Sequence, residues 1–439
     1  MEILIWLFKK DGVYIMNNKR SDFLVIGFAL FSMFLGAGNL IFPPLLGRNL
    51  GADYYLGIIG FIITGVGVPL LGILSSMRVN GKFELFGDKV GKKFSLIYSI
   101  ALFILIGPLL AIPRTAATTF ELAFAPNFAN INYFAVIVVY FLVNLIFVLK
   151  PSKVIDVLGK FLTPILLAIL FFLIAKGVLS PIDALTKSYT PDALSTSLLE
   201  GYQTMDAIAA VIFSSIILGS IKAKGYTGKA SFKLLIKAAV IAIGGLAIIY
   251  GGLIFLGAHT GDLALDLSNS QLLLFVAESI LGHAGAILIG VSMALACLTT
   301  SIGLLSAGGS FFERVSNGKL PYKFNVLLMT VTSILVASMG LDKIISLSAT
   351  LLGVIYPVTI VLILLNLFHK RITNPLTHKV TVYVTLVVSI LITIGNFIPG
   401  VENLVSLLPL YSKGFGWVVP ALVGFIIPSI IPTRETATA

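Results

Sequence analysis

Five stretches of this chain, 23–46, 54–77, 238–258, 284–312 and 344–368, run for more than twenty residues without an Asp, Glu, Lys or Arg. A helix crossing roughly 30 Å of hydrocarbon needs about 20 mainly apolar residues, and such runs recur along the sequence. In lipid each peptide N–H and C=O must be paired within its own segment or within a closed barrel, so the runs read as helices. The period-two alternation of barrel strands is absent. Composition agrees, with 58% hydrophobic and 11% charged residues and a mean hydropathy of +1.05, which excludes an ordinary water-soluble fold.

The expected fold is an all-α integral membrane protein with about twelve spans, placed at 23–47, 54–77, 94–124, 133–149, 154–177, 196–221, 231–257, 283–310, 324–340, 343–368, 379–400 and 404–431. With those near span ends counted to the adjoining loop, 24 of the 30 Lys and Arg fall in the N-terminus, the even-numbered loops and the C-terminus, five in the odd-numbered loops, and one, Arg114, inside an apolar segment. That asymmetry follows the positive-inside rule and puts both termini in the cytoplasm of a cell membrane. The net charge of +11 therefore marks topology and contact with the lipid bilayer; no nucleic-acid motif and no obligate protein partner is evident. The single cysteine, Cys297, excludes an internal disulfide and a thiolate metal cluster. Residues 1–8 are too short for a signal sequence, and Met16, followed by Asn17, Asn18, Lys19 and Arg20, reads as an alternative start.

Two spans look interrupted. The first contains Gly36, Ala37, Gly38 and Asn39, then Pro43 and Pro44; Gly costs about 1 kcal/mol and Pro about 3 kcal/mol inside a helix. The sixth opens with Gly201, Tyr202, Gln203, Thr204, Met205 and Asp206 before turning apolar. Breaks at matching positions of two five-span halves point to an inverted-repeat transporter with its site at the midplane. The division is then 1–22 (cytoplasmic), 23–178 (first repeat), 196–368 (second repeat), 379–431 (two further spans) and 432–439 (cytoplasmic). Small residues in membrane helices also serve close packing, which is the competing reading. Outside the bundle, Leu272, Phe275, Val276 and Ile280 have helical spacing within 268–281, as a short helix lying over it would.

The stretches Gly36-Ala37-Gly38-Asn39-Leu40-Ile41-Phe42-Pro43-Pro44, Thr64-Gly65-Val66-Gly67-Val68-Pro69, Glu200-Gly201-Tyr202-Gln203-Thr204-Met205-Asp206-Ala207 and Ala296-Cys297-Leu298-Thr299-Thr300 resemble the bacterial branched-chain amino acid carrier family, the leucine, isoleucine and valine cation symporters. The resemblance runs from Phe23 to Ile431. It implies a member of the amino acid, polyamine and organocation superfamily with a five-plus-five inverted repeat, importing these amino acids with Na⁺ or H⁺ and using no other cofactor. By the same resemblance, Ala37 and Gly38, with Gly36 beside them, receive the substrate carboxylate. Ser32 and Leu35 carbonyls with Ala296, Thr299 and Thr300 hold Na⁺, and Asn39 and Thr204 help a second cation or the carboxylate. Hard cations take several oxygens, which suits this donor set; the competing reading is that each threonine bonds a carbonyl of its own helix.

Asp206 is a carboxylate within a span, where such groups face the bundle interior. It would bind the substrate ammonium, a cation or a proton, or else cap the half-helix that follows. Arg114 and Glu121, seven residues apart on one helix face, read as a pair snorkelling outward, or as an outer gate or substrate contact. The resemblance also implies that Lys160, one turn after Asp156, keeps H⁺ coupling open, since a fifth-span lysine takes the place of sodium in some proton-coupled relatives of the fold; the competing reading is an inner-leaflet anchor. Tyr202, Met205, Ile112 and Tyr356 are candidates for the side-chain pocket, with core packing as the alternative. An enzyme would need a catalytic constellation, yet His259, His283, His369 and His378 are scattered without a His-x-x-x-His pair. A channel would favour a charge ring or carbonyl filter in a repeated small subunit, which one long chain with two broken helices does not offer.

Overall fold

The computed structural model describes residues 22–77, 79, 81–128, 130–149, 163–185, 187–188, 190–264 and 266–431. All regular structure among them is helical. The first crossing is made of α1 (Asp22–Phe34) and α2 (Ala37–Leu50); α3 (Tyr54–Ile62), a π-helical stretch (Ile63–Gly67) and α4 (Val68–Met77) form the second. The third combines α5 (Lys92–Ile104), a π segment (Leu105–Ala111), α6 (Ile112–Thr119) and a second π segment (Phe120–Phe124). The fourth and fifth are α7 (Tyr133–Val148) and α8 (Thr163–Leu179), the sixth α9 (Ala193–Glu200) and α10 (Asp206–Ala223), and the seventh α11 (Gly228–Ala258). After α12 (Asn269–Leu281) come α13 (His283–Val315), α14 (Tyr322–Ala337), α15 (Leu341–Leu367) and α16 (Pro375–Gly395). The chain closes with α17 (Pro399–Val405) and α18 (Val418–Ile430).

Seven helical stretches of the described residues are long and apolar enough to cross a membrane, and six apolar helices of 10–17 residues accompany them. Apolar side chains are turned outward at Ile97 (68% exposed), Ile146 (67%) and Leu335 (65%). The interior instead holds Asn39, Arg114, Thr204, Asp206, Thr299 and Asn366, all buried. Apolar outside and polar functional groups inside is what a lipid solvent selects.

Two expectations on boundaries need correction. The span drawn over 404–431 is divided, because Leu410 and Gly414 adopt left-handed backbone and only α18 resumes the helix. Conversely, the first crossing does not unwind at Pro43 and Pro44, which lie inside α2. Loss of winding is confined to Leu35 and Gly36, upstream of the prolines. The short outer helix expected over 268–281 is α12, opened by a capping box in which the Ser268 hydroxyl accepts from the Gln271 amide and Gln271 Oε1 from the Ser268 amide.

The seventh crossing is the scaffold of the site, since α11 packs along both α1 and α2. The α2–α11 contact is backbone on backbone: a Cβ on Gly47 would lie 1.9 Å from the Ile254 carbonyl oxygen, and one on Gly257 2.0 Å from that of Pro44. Only glycine fits at this separation. At the end of the bundle where α1 begins, Asp22 accepts from Lys224 Nζ (2.8 Å) and the Tyr226 hydroxyl (2.9 Å), tying α1 to the connection between α10 and α11.

Gly257→Ala is expected to lower the melting temperature and the monodisperse yield strongly, as overpacking of 1–3 kcal/mol or more does. Gly244→Ala, on the same helix with nothing within 4 Å of the added carbon, is expected to leave both unchanged, so equal losses in a thermal-shift assay would refute the close-packing account.

Candidate substrate and cation site

The first break frees the last-turn carbonyls of α1, which have no donor within the helix. The Gly36 amide bonds the Phe34 carbonyl at 2.7 Å. Two more carbonyls are met from α13, where Thr299 Oγ1 donates to Ser32 O at 2.8 Å and Thr300 Oγ1 to Met33 O at 3.0 Å. Thr299 Oγ1 also lies 2.9 Å from Ala296 O of its own helix, so its hydroxyl is shared between the two helices. Oxygens of Ser32, Ala296 and Thr299 therefore converge, at the negative end of the α1 dipole. Adjacent threonines thus meet the adjacent carbonyls of Ser32 and Met33, and among the described residues no side chain donates to the Leu35 carbonyl.

The second break has a different construction. A 3₁₀ turn (Gly201–Thr204) leads to Met205 at φ 64°, ψ 10°, left-handed backbone that is uncommon outside glycine, and α10 restarts at Asp206. Thr204 Oγ1 donates to the Gly201 carbonyl (2.8 Å) and accepts from the Asp206 amide (3.3 Å), while the Ala207 amide donates to the Tyr356 hydroxyl (3.3 Å). Gly201 abuts the π segment of the second crossing so closely that a Cβ there would stand 2.0 Å from Thr64 Oγ1.

Asp206 does not cap its own helix. Its Oδ2 accepts from Asn39 Nδ2 at 2.6 Å and from the Tyr250 hydroxyl at 2.9 Å, and Asn39 Nδ2 also meets the Tyr250 hydroxyl. The other end of the Asn39 amide, Oδ1, accepts from the Gly36 amide at 3.1 Å. One side chain thus joins the first break to the second and to α11. Tyr250 escaped the sequence reading because a tyrosine in the apolar run 238–258 looks like packing; its hydroxyl among small residues is the signal that marks it.

Arg114 points inward, not toward outer headgroups, and is 3% exposed. Its Nη1 donates to the Gln203 carbonyl at 2.9 Å, and its guanidinium lies 5.7 Å from the centre of the Phe42 ring. Glu121 instead accepts from Ser270 of α12 at 2.7 Å. The two are not paired with each other: Arg114 bonds the sixth crossing and Glu121 the outer helix α12. Lys160 and Asp156 lie outside the described residues.

A small cavity separates the breaks, lined on its polar side by Gly36, Asn39, Arg114, Thr204, Asp206 and Thr300. Its apolar wall includes Phe34, Ile106, Met205, Ala209 and Leu304. At about 20 Å³ it holds one water-sized object, so admitting an amino acid requires its walls to move apart. Of the four pocket candidates only Met205 lines it; Tyr202 and Tyr356 stack on each other with ring centres 4.4 Å apart, and Ile112 is buried in the core.

The family described as branched-chain amino acid transport protein matches residues 19–435. The chain belongs to this family. It is a multi-pass membrane transporter and not an enzyme. It is 37% identical to the branched-chain amino acid permease BraB of Bacillus subtilis, across 93% of this chain and 95% of that protein. Among solved structures, Mhp1, a nucleobase-cation-symport-1 family transporter, superposes with a TM-score of 0.61 at 14% identity, covering 92% of this chain and 90% of Mhp1. A Na⁺-coupled sialic acid symporter superposes at 0.62 and 15% identity, covering 95% and 91%. These likenesses establish the fold, in which the first and sixth crossings of this chain are broken.

Asn39→Ala removes donors from Asp206 and an acceptor from Gly36, leaving buried groups unpaired; a loss of about 2–3 kcal/mol is expected. Tyr250→Phe removes one donor from Asp206 and an acceptor from Asn39 Nδ2, which keeps Asp206 as its partner, and is expected to cost about 1 kcal/mol. Thermal denaturation of the two purified variants should rank them in that order, and the reverse order would contradict the bridging role of Asn39.

Proposed function

We propose that this transporter imports leucine, isoleucine and valine across the plasma membrane by symport with Na⁺, with both termini in the cytoplasm. One observation carries the reading: a single buried cavity has helix-start amides on one side and a carboxylate on the other. The first-turn amides of α2, at Ala37 and Gly38, lie outside the helical ladder and at the positive end of its dipole, which suits an α-carboxylate. Asp206 suits an α-ammonium, with Asn39 and Tyr250 holding its Oδ2 so that the carboxylate is fixed in direction. Phe34, Ile106, Met205, Ala209 and Leu304 offer the branched side chain an apolar wall without a polar anchor. Such a wall separates leucine from valine by only about 1–3 kcal/mol, so overlapping specificity is expected.

Support for Na⁺ comes from the neutral oxygens of Ser32, Ala296 and Thr299, with Thr300 and Met33 alongside. Hard cations favour such carbonyl and hydroxyl ligands, and the break supplies carbonyls without a repelling acid cluster. H⁺ symport is the second reading, favoured by the buried Asp206 carboxylate in the same cavity.

Proteoliposomes holding the purified chain, given a Na⁺ gradient and a pH gradient separately, test both. Labelled leucine should accumulate with the Na⁺ gradient and fail to do so when choline replaces Na⁺. Thr299→Ala and Thr300→Ala should each raise the Na⁺ concentration for half-maximal uptake by roughly 10-fold, the scale of one lost polar contact. Undiminished accumulation in choline under a pH gradient would replace Na⁺ by H⁺ as the coupling ion.

A further inference from the structure

The transport reading leaves Arg114 without a task, although its position is costly. A buried cation loses several kcal/mol of hydration unless it is paired. Among the described residues no carboxylate forms an ion pair with Arg114. Among the described residues its one hydrogen bond goes to the neutral Gln203 carbonyl, and its Nε, like Gln203 Oε1, is buried without a partner there. Its other terminal nitrogen, Nη2, reaches the start of α2, where a Cβ added to Gly38 would stand 2.8 Å away. A guanidinium beside a helix N-terminus is repelled by the dipole unless an anion lies between them. Two positive features thus converge on a cavity that Asp206 also lines.

We propose that Arg114 reads the substrate's α-carboxylate, binding it together with the first-turn amides of α2 and restricting the cargo to amino acids that carry that charge. This rests on the transport reading above and adds to it the residue that selects the carboxylate. Glycine at 38 leaves room for the guanidinium to reach the helix start, and the Gln203 carbonyl holds it there before substrate arrives. A zwitterion then meets opposite charges at its two ends, Arg114 at the carboxylate and Asp206 at the ammonium. A purely structural Arg114, holding the second break through Gln203, would instead affect all ligands alike.

Leucinamide separates these roles, because it keeps the side chain and the ammonium but replaces the carboxylate with a neutral amide. The experiment titrates ligand-induced shifts in melting temperature of the purified full-length protein in Na⁺ buffer, with leucine and with leucinamide. In the wild type, leucine should bind at least about 50-fold more tightly. Arg114→Gln should weaken leucine by roughly 10- to 100-fold and leucinamide by less than about 3-fold, so the preference collapses. Arg114→Lys, with the charge but not the forked donors, should give an intermediate preference. If Arg114→Gln does not yield folded protein, Arg114→Lys and Gly38→Ala decide, and each should reduce the preference for leucine. A preference retained in the folded variants, or equal weakening of both ligands, would overturn the role of Arg114 while leaving transport intact. Failure of the wild-type protein to bind leucine would bring down the transport reading, and this one with it.

Discussion

The Asn39 side-chain amide, with Gly36 at one end and Asp206 and Tyr250 at the other, is the contact on which this architecture turns. Breaking a helix inside a bilayer leaves peptide groups that water cannot reach, and each costs several kcal/mol if it stays unpaired. The chain answers with short polar side chains placed at the breaks. Thr299 and Thr300 meet the carbonyls that α1 releases, and Thr204 and Tyr356 meet the first amides of α10. Asn39 links the two sets, so the breaks form one polar unit instead of two separate defects.

Around that unit the bundle is built from close backbone approach. Gly47 and Gly257 let α2 and α11 touch main chain to main chain, the kind of contact that drives helix association where lipid and leucine are equally apolar. The α2 prolines are accommodated at the same contact, since the Pro44 carbonyl is the group that Gly257 faces. The rigid pair presents Tyr250 to Asp206, and so fixes the site from a helix that contributes little else to it. The cavity's small volume implies that loading requires other walls to give way, and the single turn linking Gly201 to Asp206 has few helical bonds to resist.

Crossings were legible in the sequence because hydrocarbon tolerates few charges, so the uncharged runs speak directly. Both breaks were legible for a related reason: Gly36 and Gly38, and the polar run from Tyr202 to Asp206, violate what a regular membrane helix permits. Sequence spacing failed where the answer depended on how helices turn relative to one another. Tyr250 and the Met33 carbonyl carry no local mark of their roles, since a tyrosine and a main-chain oxygen gain them only from a facing helix. The end of the chain misled for a simpler reason: Leu410 and Gly414 take left-handed backbone within a stretch whose hydropathy alone suggests one continuous span.

The third crossing shows how much can hang on counting residues. Two π segments, Leu105–Ala111 and Phe120–Phe124, bracket the eight residues of α6. Pro108, which lacks an amide hydrogen, lies in the first, beside Gly107 with its non-helical ψ of −107°. Each i→i+5 turn inserts an extra step into the winding, so α6 is a cassette whose angular phase is set from both sides. Deleting one residue upstream would rotate that cassette by about 100°, turning the guanidinium away from Gln203 and, because all eight residues of α6 are buried, into packed interior, where an unpaired ion costs several kcal/mol.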